Sequence, residues 1–173
     1  MSRDFASLTP QETLHAAIFI EERNGRLYRN YAEMFEELSD ADSQELAKGF
    51  REMAEEEDRH ASQLRAAYLE RFEKQLCLLS GTEMADAIEL PKLEDGEIYS
   101  IGRMRLGTVT RANALRVALA AEEHARRFYT RMAETATDPQ MAALYGELAH
   151  FESGHIVFLN QKLRGPSILT DAG

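Results

Sequence analysis

The chain has 173 residues, 44% of them hydrophobic and 29% charged, which is the size and balance of one globular domain rather than of a disordered chain. Thirty acidic against twenty basic residues give a net charge of −10, a poor match to a polyanion, so nucleic acid is excluded as an expected partner. The one cysteine, Cys77, can close no intrachain disulfide, and no set of spaced cysteines is present for structural zinc, a rubredoxin-type iron or an iron–sulfur cluster; a reducing cytoplasm is the expected compartment.

The first residues, Met1 to Phe5, carry no long apolar run, and no window approaches the roughly 18 apolar residues of a membrane span, so neither export nor a bilayer is expected. Ala, Leu, Glu and Arg recur throughout, and the chain reads as all-helical. Thr9, Pro10 and Glu12 announce the first helix with a capping hydroxyl, a proline at the first position and the carboxylate that completes a capping box. It is expected to run to about Leu38. After a polar turn at Ser39 to Asp42, Leu46, Phe50, Met53, Leu64, Tyr68 and Phe72 repeat at helical spacing in a second helix that ends near Gln75 to Leu78. Gly81, Pro91, Gly96, Gly102 and Gly107 then interrupt the pattern, marking residues 79–109 as a long crossover connection with a short helix near Glu83 to Leu90. Thr110 caps a third helix carrying Leu115, Leu119, Phe128, Tyr129 and Met132; Asp138 and Pro139 start a fourth carrying Met141, Tyr145, Leu148 and Leu159, and Gly165 with Pro166 stops it. Two helical hairpins joined by one long connection, in a single domain over residues 1–173, is the connectivity of a ferritin-like four-helix bundle.

Carboxylates stand where these helices should be apolar. The inward series of the first helix steps through Leu14, Glu21, Tyr28 and Phe35, whereas Glu22 shares a polar row with His15, Arg29 and Glu36. In the third helix the series is Leu115, Glu122, Tyr129, and the segments IEERNGRLY (20–28) and AEEHARRFY (121–129) echo each other. The second and fourth helices each place Glu-x-x-His on the inward face, as Glu57 with His60 and Glu152 with His155; residues three apart lie on one face about a turn apart, so both can address one metal or bridge to a second. Counted from turns near Asp40 and Thr137, the partners in each hairpin fall within about 5 Å of the same level at about 1.5 Å per residue. Burying several ionised carboxylates together is costly without cations, and four negative charges are cancelled by two divalent ions. A dinuclear metal site of Glu21, Glu57, His60, Glu122, Glu152 and His155 is therefore expected. His15 and His124 are read on polar faces, and His150 off the inward row.

The order Glu, Glu-x-x-His, Glu, Glu-x-x-His resembles the rubrerythrin branch of the ferritin-like superfamily, over the chain from Thr9 to Gly165. The resemblance implies two iron ions, with zinc or manganese as substitutes, held by Glu21 and Glu122 from the first and third helices and by Glu57, Glu152, His60 and His155 from the two motifs. By it Glu57 and Glu152 bridge the irons, and Tyr28 and Tyr129 hydrogen-bond ligand carboxylates. It further implies a homodimer and a peroxidase or oxidase that reduces hydrogen peroxide or dioxygen. Three departures stand against the pattern. Rubrerythrins proper carry four cysteines in a rubredoxin-like domain, and one cysteine here means an electron-donor redox protein acting in trans. The additional glutamate one turn after the third-helix ligand is Ala125 here, which puts the family's peroxidase cycle in question. Gly25 and Gly154 are helix-interior glycines, explained equally by space near the metals or by close helix packing. Two other functions stay open: a ferroxidase or iron-handling protein, and a non-catalytic metal-binding bundle.

Overall fold

A computed structural model describes residues 8–72 and 111–165, which form four helices: α1 (Pro10–Glu36), α2 (Ala41–Phe72), α3 (Arg111–Thr135) and α4 (Pro139–Arg164). The expected short helix near Glu83 to Leu90, the end of the second helix at Gln75 to Leu78, the 79–109 connection and the Thr110 cap lie outside the described residues. The first helix ends at Glu36, within two residues of the expected end near Leu38.

Local chemistry sets the ends. The α1 capping box is formed, with Glu12 N donating to Thr9 Oγ1 at 3.2 Å and Thr9 N donating to Glu12 Oε2 at 2.9 Å. Asp138 caps α4 by accepting from Gln140 N at 2.9 Å. Gly165, at φ 70°, ends that helix in the left-handed region that favours glycine.

Contacts between helix ends fix the topology. At one end of the bundle Gln11 Nε2 donates to Tyr68 Oη at 2.8 Å, and Arg71 pairs with Asp138 at 3.0 Å. At the other end Arg111, the first residue of α3, donates to Ser43 Oγ at 2.8 Å and pairs with Asp40. Thus α2 runs to one end and α3 begins at the opposite one, the arrangement a crossover connection serves. The helices α1 and α2 form one antiparallel hairpin, α3 and α4 the second, and together they make a ferritin-like four-helix bundle.

The core is divided along the bundle axis. One buried cluster gathers Leu14, Ile18, Leu64, Phe128, Met132 and Leu148; the other gathers Leu27, Phe35, Phe50, Met53, Leu115 and Leu159. On every helix the inward carboxylate falls between these two clusters, so the apolar core sandwiches a polar layer. Among the described residues no helix is long and apolar enough to cross a membrane.

Candidate metal centre

Each helix contributes to the polar layer, as the inward series predicts. Glu21, Glu57, Glu122 and Glu152 are all 0% exposed, and His60 and His155 are 4% and 6% exposed. They fall into two groups, Glu21, Glu57, His60 and Glu152, and Glu57, Glu122, Glu152 and His155, in each of which the donor atoms lie within 4.8 Å of one another. Glu57 and Glu152 belong to both groups.

Burial on this scale normally demands hydrogen-bond partners. Both oxygens of Glu57, both of Glu152, Oε2 of Glu122 and Nδ1 of His155 are buried without one. Nδ1 of His155 lies 3.4 Å from Glu57 Oε1 and Glu122 Oε1 and 3.5 Å from Glu152 Oε2, so the imidazole faces three carboxylates. His60 Nδ1 meets Glu21 Oε2 at 3.1 Å. Orphaned oxygens in excess, one imidazole per group and four formal negative charges fit two divalent cations of the iron, manganese or zinc kind.

Proton affinities bear the same mark. Burial, and next the charges of Glu21 and Glu122, hold the Glu57 carboxyl well above its ordinary range; burial with the charges of Glu122 and Glu57 does the same to Glu152. Burial also raises Glu122, but contacts with Glu152, His155 and Tyr28 outweigh it and the net shift is downward. At His155 burial lowers proton affinity, and the surrounding Glu122, Glu152 and Glu57 carboxylates more than offset it, so the imidazole is raised.

Tyr28 and Tyr129 sit across the α1–α3 interface from each other's helix. Tyr28 Oη donates to Glu122 Oε1, and Tyr129 Oη donates to Glu21 Oε1 and lies 3.3 Å from the Ala17 carbonyl oxygen. Burial, and then the carboxylate each touches, raise both phenols, which keeps their protons in place as donors. The Tyr129→Phe variant leaves Glu21 Oε1 without this donor, and is expected to cost the metal-free protein about 1–3 kcal/mol in urea unfolding. An unchanged unfolding midpoint would mean the hydroxyl contributes only packing.

The two interior glycines separate. A Cβ on Gly25 would meet Glu57 Cβ and Asp58 Oδ1 at 3.3 Å, so this glycine serves close packing of α1 on α2 directly behind Glu57; a Cβ on Gly154 would meet nothing within 4 Å. Gly154→Ala is expected to stabilise the protein by about 1 kcal/mol through helix propensity. Gly25→Ala is expected to lose that gain by pushing on Glu57, and thermal melts of the two variants check the contrast.

Two features escaped the sequence. His124, read on a polar face, is buried at 9% exposure, because α3 packs against both α1 and α4 and its covered arc is wider than one seam. Glu56, not singled out in the sequence, accepts from His155 Nε2 at 2.6 Å. Only its place beside Glu57 could have marked it. Of the other histidines, His15 is half-buried and His150 exposed. Glu22 pairs with Arg65 at the surface, as its polar row implies.

A bundle of two helical hairpins enclosing a buried carboxylate–histidine cluster defines the class: a di-iron carboxylate fold of the ferritin-like superfamily. The rubrerythrin family model matches residues 12–96 and 113–166, and the chain belongs to the rubrerythrin family. Among solved structures it is similar to an uncharacterized conserved protein from Magnetospirillum magnetotacticum, with a TM-score of 0.67 at 24% identity over 91% of this chain and 95% of that one. A hypothetical protein from Pyrococcus furiosus is similar with a TM-score of 0.62 at 24% identity, over 92% of this chain and 90% of that one. No curated protein matches.

Proposed function

We propose that the protein is a non-haem di-iron oxidoreductase that reduces hydrogen peroxide, with Glu21, Glu57, His60, Glu122, Glu152 and His155 as the iron ligands. The observation that carries this reading is the pair of overlapping Glu/His groups sharing Glu57 and Glu152. Iron bound there supplies two electrons, one from each ferrous ion, which with two protons take hydrogen peroxide to two molecules of water.

The chain's own residues prepare the site for that exchange. Glu57 and Glu152, common to both groups, would be shared by two cations, while Glu21 and Glu122 would each serve one of them. Tyr28 and Tyr129 keep protons at Oη and fix those outer carboxylates, so that one oxygen of each is left for a cation. The apolar clusters above and below exclude water along the bundle axis. Between α2 and α4 a groove of about 380 Å³ is lined by Glu52, Glu56, Gly154, Phe158 and His155, a volume that exceeds that of a small oxidant. Electrons come from a separate redox protein, since Cys77 alone cannot build a four-thiolate iron site in this chain. A cytoplasmic homodimer is the form in which we expect it to act.

The acidic groove favours a second reading. Glu52, Glu56 and His150 at its mouth suit a ferrous ion entering from solvent, which supports iron oxidation and release as the task. Stopped-flow mixing of anaerobically iron-loaded protein with peroxide or with air-saturated buffer separates the two. The peroxidase reading predicts ferric absorption in the near ultraviolet that grows faster with peroxide. No reaction with peroxide, with repeated oxidation of added ferrous iron by air, would replace it by the second.

A further inference from the structure

The two ligand groups match in their ligands and their tyrosines, but not behind their imidazoles. The motif of α2 is Glu56-Glu57-Asp58-Arg59-His60, and that of α4 is Phe151-Glu152-Ser153-Gly154-His155. The residue before each glutamate reaches across to the other motif's histidine. Glu56 accepts from His155 Nε2 at 2.6 Å, and Arg59 Nη2 lies 3.5 Å from the other Glu56 oxygen. At the equivalent place Phe151 lays its ring against His60, with centroids 4.9 Å apart and planes at 50°. Where Arg59 supports Glu56, the counterpart is Gly154, which has no side chain.

We infer that the two metal positions are inequivalent, the one at His155 binding a divalent cation more tightly than the one at His60, with Glu56 as the positioning residue that creates the difference. The inference rests on the metal-centre reading above. A carboxylate accepting the Nε2 proton fixes the tautomer in which the Nδ1 lone pair is free for a metal, fixes the ring plane and makes Nδ1 more electron-rich. Phe151 fills space beside His60 and offers no carboxylate oxygen, so that imidazole gains neither effect from its neighbour. Since Glu56 and Phe151 are both partly solvent-exposed, either can be changed without opening the core.

The test is calorimetric and optical titration of metal-free protein with cobalt(II) chloride. Wild-type protein is expected to bind two ions in two steps at least about 10-fold apart, in line with the 10- to 100-fold effect of removing an imidazole's carboxylate partner. Glu56→Ala should weaken the tighter step by that factor and merge the two, Glu56→Gln should restore part of the gap, and Phe151→Glu should tighten the weaker step. Two indistinguishable steps in wild-type protein, or a gap unchanged in Glu56→Ala, would overturn the inequivalence alone. Failure to bind cobalt at all would overturn the metal-centre reading and this inference with it.

Discussion

The metal-free protein is expected to unfold about 10–20 °C below the metal-loaded protein at neutral pH, and the gap is expected to widen as the pH rises. Ligand binding to the folded state alone contributes about 2.7 kcal/mol per site at free metal 100 times the dissociation constant. Two sites therefore contribute about 5 kcal/mol, and for a chain of this length each kcal/mol moves the melting temperature by about 2–4 °C. The pH dependence follows from the raised groups. Glu57 and Glu152 have folded-state pKa values above the ordinary 4.5, and His155 is raised above 6.5. Such groups give stability that is present below the unfolded-state pKa and lost as pH climbs toward the folded-state value. Glu122 is shifted down and has the opposite sign, but its window lies below pH 4.5, where it loses stability as pH falls. From about pH 5 to 8 the metal-free protein should then melt at steadily lower temperature, while the loaded protein, whose cations replace those protons, stays nearly level. Scanning calorimetry across that range checks both statements. A metal-free melting temperature that climbs with pH would contradict the carboxylate cluster as described.

Replacing Glu57 and Glu152 together by glutamine is expected to abolish metal binding and yet leave the metal-free protein as stable as before, or more so. Both residues belong to both ligand groups, so no complete group survives. Each substitution also removes a buried acid whose oxygens no hydrogen bond satisfies and whose proton affinity burial raises, so the stability that the wild-type metal-free protein loses as pH rises is kept in the double variant. Opposite movement of binding and stability is the signature of a site whose geometry the fold supports at its own expense. Elemental analysis paired with urea unfolding measures it. Glu22→Gln serves as the control: its partner Arg65 is at the surface, and neither metal content nor stability should move by more than about 0.5 kcal/mol. Loss of folding in the double variant would mean the two carboxylates stabilise the metal-free bundle, contrary to this account.

The helices were legible because their ends carry explicit chemistry, Thr9 with Glu12 at one start and Asp138 with Pro139 at another, and because a seven-residue step holds Leu14, Glu21, Tyr28 and Phe35 on one face. The six candidate ligands could be found for the same reason: an acidic residue inside an apolar series contradicts its surroundings, and the contradiction recurs on four helices at matching height. What failed to show was set by neighbours that the inward line of a single helix does not record. The partnership of Glu56 with His155 joins α2 to α4, and in the sequence Glu56 is one acid among Glu55, Glu56 and Glu57. The burial of His124 needs the width of the α3 contact, which a single inward line underestimates. Gly25 and Gly154 look alike in a helical pattern; only the neighbouring α2 residues Glu57 and Asp58 distinguish a glycine that lets helices close from one that faces open space.

Metal stoichiometry tests the central claim most directly. Protein stripped of metal and titrated anaerobically with ferrous iron, then freed of unbound ions and assayed by elemental analysis, should retain close to two irons per chain, falling to near zero when Glu57 and Glu152 are both glutamine. Retention of no iron by the wild-type chain, or of two irons by the double variant, would contradict the assignment of this buried cluster as a dinuclear centre.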